Sequence, residues 1–493
     1  MGNKKDFLKD VFLYGFGNGV RKFIGIFLLP FYTRALTPED YGILSSLSTF
    51  TLLFCAVIDI GLDSATSYYY LTRKNEKEKG QILFTLLILR LLTFVPALLL
   101  SLFSTQISTA LFGSTAYSWV VFISCLTIPF SFLLSEQTYV YRYLRQPMKY
   151  NYVTIVQSVI SIGLGVSLVV IMKYGIIGAR LATLISTAFI LPFTFITFTY
   201  KQYVYKFSIH WAKKLIKFGY PLIGAAIATW IFQSSDRFFL LHYSDLKEIG
   251  WYSIGQTFSQ PLLLLNTAVQ MSFGVLFFKI YGQDPDPAKL NSKKMAIDSI
   301  NLYMVAAITI SVFLSVFSLE LLSIVTTKEY LKGALAIPFL CFSMVCSQAY
   351  QTMGPGITLK EKNYHYTWIT VATAILNIVL NFIFIPSMGF VGAALATVIS
   401  FFAYWMIKFH ISQKYFRIDY QTTGIVLYFL SSLAISVFIP INYFYFDLKI
   451  NIFYKILIFC FSLFLPVVFK IIDLKSIRLT IKSIKDKFHS RKV

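Results

Sequence analysis

Residues 14–42 read YGFGNGVRKFIGIFLLPFYTRALTPEDYG. The stretch begins as a bilayer-crossing apolar helix, yet Arg21 and Lys22 stand side by side within it. If the helix enters the membrane near Val11, Arg21 lies ten residues in. That is ~15 Å deep at about 1.5 Å per residue, roughly halfway through a ~30 Å hydrocarbon core. Each cation there costs ~2.5–3.5 kcal/mol even on the lenient insertion scale, so the pair is expected to face a watery cavity or a partner, not lipid. Gly15, Gly17 and Gly19 remove side-chain bulk just before the pair and let the helix bend or pack closely. Positive charge at the midplane points to a pathway for something anionic.

The composition agrees with a membrane protein. The 493 residues are 57% hydrophobic and 13% charged, and the charges collect between apolar runs of about twenty residues. Only helices and closed barrels span a bilayer, and runs of this length read as helices. The net charge of +22 does not point to nucleic acid, because the Lys and Arg alternate from loop to loop as topology signals do. Cys55, Cys125, Cys341, Cys346 and Cys460 all fall in apolar segments without metal-like spacing, and are expected to pack as free thiols. The five histidines lack zinc spacing, and Gly15-x-Gly17-x-Gly19 has neither a preceding strand nor a following Gly-Lys-Ser/Thr. Neither ATP nor any other cofactor is expected; coupling to Na+ or H+ is left open.

Fourteen hydrophobic segments are expected, at roughly 11–33, 42–65, 82–104, 117–140, 151–172, 175–199, 214–241, 250–278, 297–319, 331–355, 365–386, 388–409, 421–441 and 451–472. Basic clusters occupy the amino end, Arg73–Lys79, Arg142–Lys149, Lys201–Lys217, Lys279–Lys294, Lys360–Lys362, Lys408–Arg417 and the tail, and the intervening loops hold almost none. Both termini are therefore expected in the cytoplasm. The basic tail 473–493 reads equally well as an amphipathic helix on the inner leaflet or as a solvated extension.

An internal repeat follows. Tyr174–Thr187 (YGIIGARLATLIST) matches Met388–Phe401 (MGFVGAALATVISF) at an offset of 214, and Glu39–Gly42 (EDYG) resembles Lys247–Gly250 (KEIG) at 208. The expected organisation is an amino lobe 1–205, a second lobe 206–415, a helix pair 416–472 and the tail. An offset of an even number of helices gives both lobes the same orientation, the parallel type of repeat with a substrate cavity at midplane depth. The fold class is thus an all-α integral membrane protein of about fourteen transmembrane helices: two parallel six-helix lobes around a central cavity, plus a C-terminal pair.

Three stretches, LLPFYTRALTPEDYGIL, FGYPLIGAAIATWIFQSSDRFFLL and ILNIVLNFIFIPSMGFVGAALATVIS, together resemble the polysaccharide transporter family of bacterial flippases. That group moves O-antigen and capsule repeat units, and sits with multidrug antiporters and lipid II flippases in the multidrug/oligosaccharidyl-lipid/polysaccharide exporter superfamily. The resemblance covers most of residues 10–410. It implies a non-enzymatic flippase in the bacterial cytoplasmic membrane. Its implied substrate is a polyprenyl-pyrophosphate-linked oligosaccharide, carried to the outer leaflet by alternating access. Membrane lipids and glycan polymerase or assembly enzymes are the implied partners. The extra helix pair departs from the twelve helices common among the sugar transporters and is similar to the fourteen-helix lipid II flippases, where it borders a groove for the lipid tail.

Arg grips phosphate oxygens bidentately, so midplane cations suit a pyrophosphate. Arg21 and Lys22 are the first candidates and Arg90 the next; Arg34 and Arg180 lie near helix ends, where snorkelling explains them without a substrate. Asp236 and Arg237 follow Gln233-Ser234-Ser235 in an otherwise apolar helix and are candidates for coupling or gating. Adjacent residues diverge by about 100° around a helix, so these two cannot easily share a partner. Asp59 and Asp63, four apart on one face of the second segment, and Glu136 in the fourth are expected to pair with Arg21, Lys22 or Arg90, or to form a cytoplasmic gate. Asn377 and Asn381 form a polar stripe, and Pro221, Pro261, Pro338 and Pro355 are expected to kink helices. A drug or cation antiporter of the same fold would favour acidic cavity residues, whereas the midplane charges here lean basic. A glycan polymerase or ligase would need a long outer loop, and the longest here is about a dozen residues.

Overall fold

The computed structural model describes residues 27–284, 289–362 and 364–471, together with Gly19. Arg21, Lys22 and the tail 473–493 lie outside the described residues. Every regular element among the described residues is helical. Apolar runs of this length have no water to hydrogen-bond their backbone in a bilayer, so each satisfies its amides within its own helix.

Nine of these helices are long and apolar enough to cross a membrane, or eleven if two bent pairs each count as one span. Among the described residues this count falls short of the expected fourteen, for three local reasons. Segment 11–33 is described only from residue 27. The segments 365–386 and 388–409 form one stretch, Tyr364–Tyr415, interrupted at Gly389 (φ 55°, ψ −134°). The last segment is a shorter apolar stretch, Ile452–Val468. The bent pairs lie where prolines were noted: Ile209–Gly219 and Leu222–Ser234 meet at 44° around Pro221, and Lys328–Leu335 and Ile337–Leu359 meet at 48° beside Pro338.

The helices used below are α1 (Pro38–Ile58), α2 (Leu62–Thr72), α3 (Glu76–Leu92), α4 (Ser118–Tyr143), α5 (Gly175–Thr194), α6 (Asp236–Tyr243), α7 (Leu246–Gln283), α8 (Leu290–Val316), α9 (Ile337–Thr352), α10 (Tyr364–Tyr415), α11 (Thr422–Tyr445) and α12 (Ile452–Ser462). The start of α1 is written in the sequence Thr37-Pro38-Glu39-Asp40. The Asp40 amide donates to the Thr37 hydroxyl (3.2 Å), and the Thr37 amide donates to the Asp40 carboxylate (3.0 Å). This capping box, with Pro38 in the first turn, satisfies amides that a helix start leaves open.

The chain divides into two compact units. Among the described residues, the first comprises those within 1–253, 325–330 and 370–393, the second those within 254–324, 331–369 and 394–471. Halves at 1–205 and 206–415 describe sequence repetition, whereas these units group residues by spatial proximity. In the first unit, Ile43, Leu47 and Phe50 of α1 pack with Val121 and Cys125 of α4 and Ile176 and Ala179 of α5. In the second, Tyr303 of α8 donates to the Asn266 side-chain oxygen of α7 (2.8 Å), while Phe342 of α9 and Phe429 of α11 meet edge to face at 5.1 Å.

The repeated motifs have a backbone cause. Gly175 and Gly389, aligned by the offset of 214, both adopt φ +55°, a conformation that costs a residue with a Cβ about 1–2 kcal/mol. Gly42 and Gly250, the glycines of EDYG and KEIG, face each other's helix starts. A Cβ on Gly42 would overlap the Leu246 carbonyl and lie 3.2 Å from the Gly250 nitrogen, and one on Gly250 would overlap the Pro38 carbonyl. Small residues at such crossings let helices approach where lipid supplies no hydrophobic drive.

Candidate functional site

The first unit holds a buried ionic cluster. Arg90 of α3 is 0% exposed. Its Nη2 pairs with Asp59 Oδ1 at 2.5 Å and also with Asp63 Oδ1, and its guanidinium lies 4.6 Å over the Phe132 ring. Asp59 and Asp63 do not share one continuous helix face, which corrects the expectation from their spacing. Asp59 caps the end of α1 and Asp63 opens α2, with Ile60 (φ 51°) and Gly61 (φ 63°) left-handed between them. The break turns both carboxylates onto one guanidinium.

Glu136 of α4 lies within electrostatic reach of Arg90 and is 1% exposed. Its Oε1 accepts from the Tyr203 hydroxyl at 3.1 Å. Burial first, then the neighbouring Glu136, pushes the Tyr203 phenol well above its ordinary range, so Tyr203 remains a hydroxyl donor. Two carboxylates thus pair with one guanidinium, and a third lies within its electrostatic reach. A cation so held has its counter-charges within the protein, paired from the end of α1 and the start of α2 with Glu136 of α4 nearby.

A second polar group surrounds Asp236 and Arg237 at the start of α6, both buried. Their hydrogen bonds go to different helices, yet both touch Tyr252, whose ring centre lies 5.7 Å from the Arg237 guanidinium. Asp236 accepts from the Tyr252 hydroxyl of α7, whereas Arg237 Nε donates to the Ser45 hydroxyl of α1 at 2.8 Å. Ser253 donates to the same Ser45 oxygen (2.7 Å). Beside them the Ser235 hydroxyl donates to Asn377 Oδ1 (3.3 Å), which also accepts from the Asn381 amide (3.1 Å). The asparagine stripe is therefore joined to the Gln233–Arg237 run.

The remaining candidates separate. Arg180 of α5 reaches α1, where its Nη2 donates to the Leu44 carbonyl and to the Ser48 hydroxyl (2.9 Å). Arg34 is exposed. The structure therefore brings Arg90, Asp59, Asp63 and Glu136 together, and leaves Arg34 and Arg180 elsewhere. Among the described residues no group of three or more His, Cys, Asp or Glu is arranged to hold a metal ion.

Several groups escaped the sequence reading. Glu248 of α7 accepts from the Phe390 amide (2.9 Å) at the Gly389 break and so caps the restarted helix. In the second unit the buried Lys408 ammonium lies 4.3 Å over Tyr366 and 4.7 Å over Tyr350. Lys455 of α12, also buried, pairs with Glu320 at 2.6 Å. A lysine five residues into the apolar run 451–472, away from the Lys470 at its far end, was the available signal for Lys455; Lys408 was hidden among basic loop residues.

Residues 7–277, more than half of the chain, match the family described as polysaccharide biosynthesis protein. An Lsg locus protein of Haemophilus influenzae is 25% identical over 53% of this chain and 63% of its own length. A Haloferax volcanii protein named as a probable low-salt glycan biosynthesis flippase, Agl15, is 22% identical over 45% of this chain and 46% of its own. The chain thus spans less than two thirds of the length of these curated relatives. Among solved structures, the lipid II flippase MurJ in an inward closed conformation aligns with a TM-score of 0.69 at 17% identity, over 93% of this chain and 98% of that one. An inward-facing multidrug resistance MATE transporter of the MOP superfamily aligns at 0.60 and 14% identity, over 80% and 94%. The fold is theirs, and the chain belongs to the polysaccharide biosynthesis protein family as a multi-pass helical membrane protein.

Proposed function

We propose that the chain is a flippase for a polyprenyl-pyrophosphate-linked oligosaccharide, an O-antigen, capsule or related glycan repeat unit. It carries the lipid-linked sugar from the cytoplasmic to the outer leaflet of the cytoplasmic membrane by alternating access, with both termini in the cytoplasm and no covalent chemistry. One observation carries this reading: a chain of a polysaccharide biosynthesis family has a fold similar, over 93% of its length, to a lipid II flippase.

In this account Arg21 and Lys22 supply the cationic stretch that meets the pyrophosphate, with Arg34 nearer its end. Arg90 and Arg180 are occupied by protein partners, and we assign Arg90 with Asp59, Asp63 and Glu136 to gating. A charge cluster that exchanges partners during the cycle biases one conformation against the other, as any coupled change requires. Asp236 and Arg237, both in contact with Tyr252, are assigned to coupling.

The test is binding to the purified protein. A polyprenyl-pyrophosphate oligosaccharide is expected to bind at least tenfold more tightly than the same glycan on an uncharged polyprenol, and Arg21→Ala is expected to remove most of that difference. Equal binding of the charged and uncharged lipids would overturn the cationic pathway. Preferential binding of a lipophilic cation would favour a drug antiporter of the same fold.

A further inference from the structure

In the first unit a short amphipathic helix, Ile209–Gly219, meets the apolar Leu222–Ser234 helix at 44°. Its sequence, IHWAKKLIKFG, carries three lysines and no acid. One face is fixed to the protein. Trp211, Ala212, Leu215 and Gly219 are buried, and Leu215 packs with Leu62 and Ala65 of α2 and Leu86 of α3. The Trp211 amide donates to the Ser208 hydroxyl at the helix start (3.3 Å). The opposite face exposes Ile209, Lys213, Ile216 and Lys217, followed by Tyr220. Apolar and cationic side chains sharing the open face of a helix suit the boundary between lipid headgroups and acyl chains.

Two further cations lie against the Trp211 ring. The Arg73 guanidinium, directly after α2, is 5.3 Å from the ring centre, and the Lys214 ammonium is 5.0 Å from it. The indole is held in place, 6% exposed, with Tyr69 of α2 edge-on at 5.7 Å. Packing therefore sets the two cations against one ring. Neither makes an ion pair or a hydrogen bond through its charged end among the described residues. Glu76, the nearest carboxylate to Arg73 along the chain, is taken by Lys79 (2.7 Å). Of the Arg73 nitrogens only Nε is shut in; both Nη atoms and Lys214 Nζ stay open to the surface. Like charges fixed so near each other repel, and an anion that both reach removes the repulsion. A phosphate is the anion whose oxygens suit an open guanidinium edge and a neighbouring ammonium.

We propose that Arg73 and Lys214, set against Trp211, bind the phosphate of an anionic phospholipid, such as phosphatidylglycerol, in the inner leaflet. The Arg73 Nη edge and Lys214 Nζ donate to the phosphate oxygens, while Ile209, Ile216 and Tyr220 meet the acyl boundary. The expected topology puts these basic segments in the cytoplasm, where anionic lipid attracts clustered Lys and Arg. A zwitterionic headgroup brings its own ammonium toward these cations and is disfavoured. Free pyrophosphate offers similar oxygens but leaves the exposed apolar side chains uncovered.

The proposal needs only a membrane-embedded chain, not the transport reading. It is tested by native mass spectrometry of the full-length protein exposed to matched-chain phosphatidylglycerol and phosphatidylcholine. Retention of phosphatidylglycerol, preferred on the order of tenfold, is the supporting result for two cations near the membrane surface. Arg73→Gln/Lys214→Gln should remove most of that preference. Lys360→Gln/Lys362→Gln takes the same charge from two exposed lysines of another basic loop and should leave it unchanged. Equal retention of the two lipids by wild type overturns the site, a result that no folding defect in a variant can produce. Equal losses in the two double variants also overturn it, showing only diffuse attraction to a basic protein. Displacement of the retained lipid by millimolar inorganic pyrophosphate would assign these cations to a soluble anion instead.

Discussion

Replacing Arg90 by methionine removes the cation shared by Asp59 and Asp63 while nearly keeping its bulk against Phe132. In the wild type Arg90 is fully buried, and the two carboxylates are 20% and 30% exposed. Removing one member of a buried ionic group costs about 3–5 kcal/mol, because the partners are left charged and unpaired. Partial exposure of Asp59 and Asp63 lets water hydrate them, so the lower end applies, about 3 kcal/mol, or roughly a hundredfold in the folded-to-unfolded ratio. Reversible unfolding in mixed micelles, followed by tryptophan fluorescence, measures it. The triple variant Arg90→Met/Asp59→Asn/Asp63→Asn removes the cation together with the two carboxylates paired to it and should recover most of the loss, since neutral replacement of a buried ion pair is often close to neutral. The reasoning is refuted if Arg90→Met stays within about 0.5 kcal/mol of wild type, the range of an ordinary surface substitution. It is equally refuted if the triple variant is no more stable than the single one.

Two further outcomes follow from the backbone. Gly42→Ala drives a methyl into the Leu246 carbonyl and should cost about 1–3 kcal/mol as overpacking, whereas Gly224→Ala, with open space around it, should be neutral or stabilising by up to ~1 kcal/mol; the same unfolding assay separates them. Glu248→Ala removes the acceptor of the Phe390 amide at the Gly389 break, costing about 1 kcal/mol, and hydrogen exchange across residues 389–392 should quicken while α11 is unchanged.

What the sequence disclosed depended on how local the cause was. The Gly175/Gly389 and Gly42/Gly250 correspondences were readable because a left-handed φ or a backbone contact demands glycine at that position in each copy. Helix geometry separates the hydrogen bonds of Asp236 and Arg237, but their shared contact with Tyr252 and the Ser45 partner were not readable, being fixed by packing between segments. Asp59 and Asp63 were identified as acidic candidates, yet the turn between them was missed, because an isoleucine at positive φ carries no compositional signal. Lys408 and Lys455 were absorbed into topology and apolar segments respectively; their burial shows only once the helices are assembled.

The central claim is transport of a lipid-linked glycan, and translocation in proteoliposomes tests it most directly. Purified protein is reconstituted with a labelled polyprenyl-pyrophosphate oligosaccharide, and exposure of the label to an impermeant glycosidase is followed beside uptake of a cationic dye. The account predicts protein-dependent exposure of the glycan by wild type, its loss in folded Arg21→Ala, and no dye movement. Dye transport without glycan translocation, across a panel of lipid-linked glycans, would contradict it.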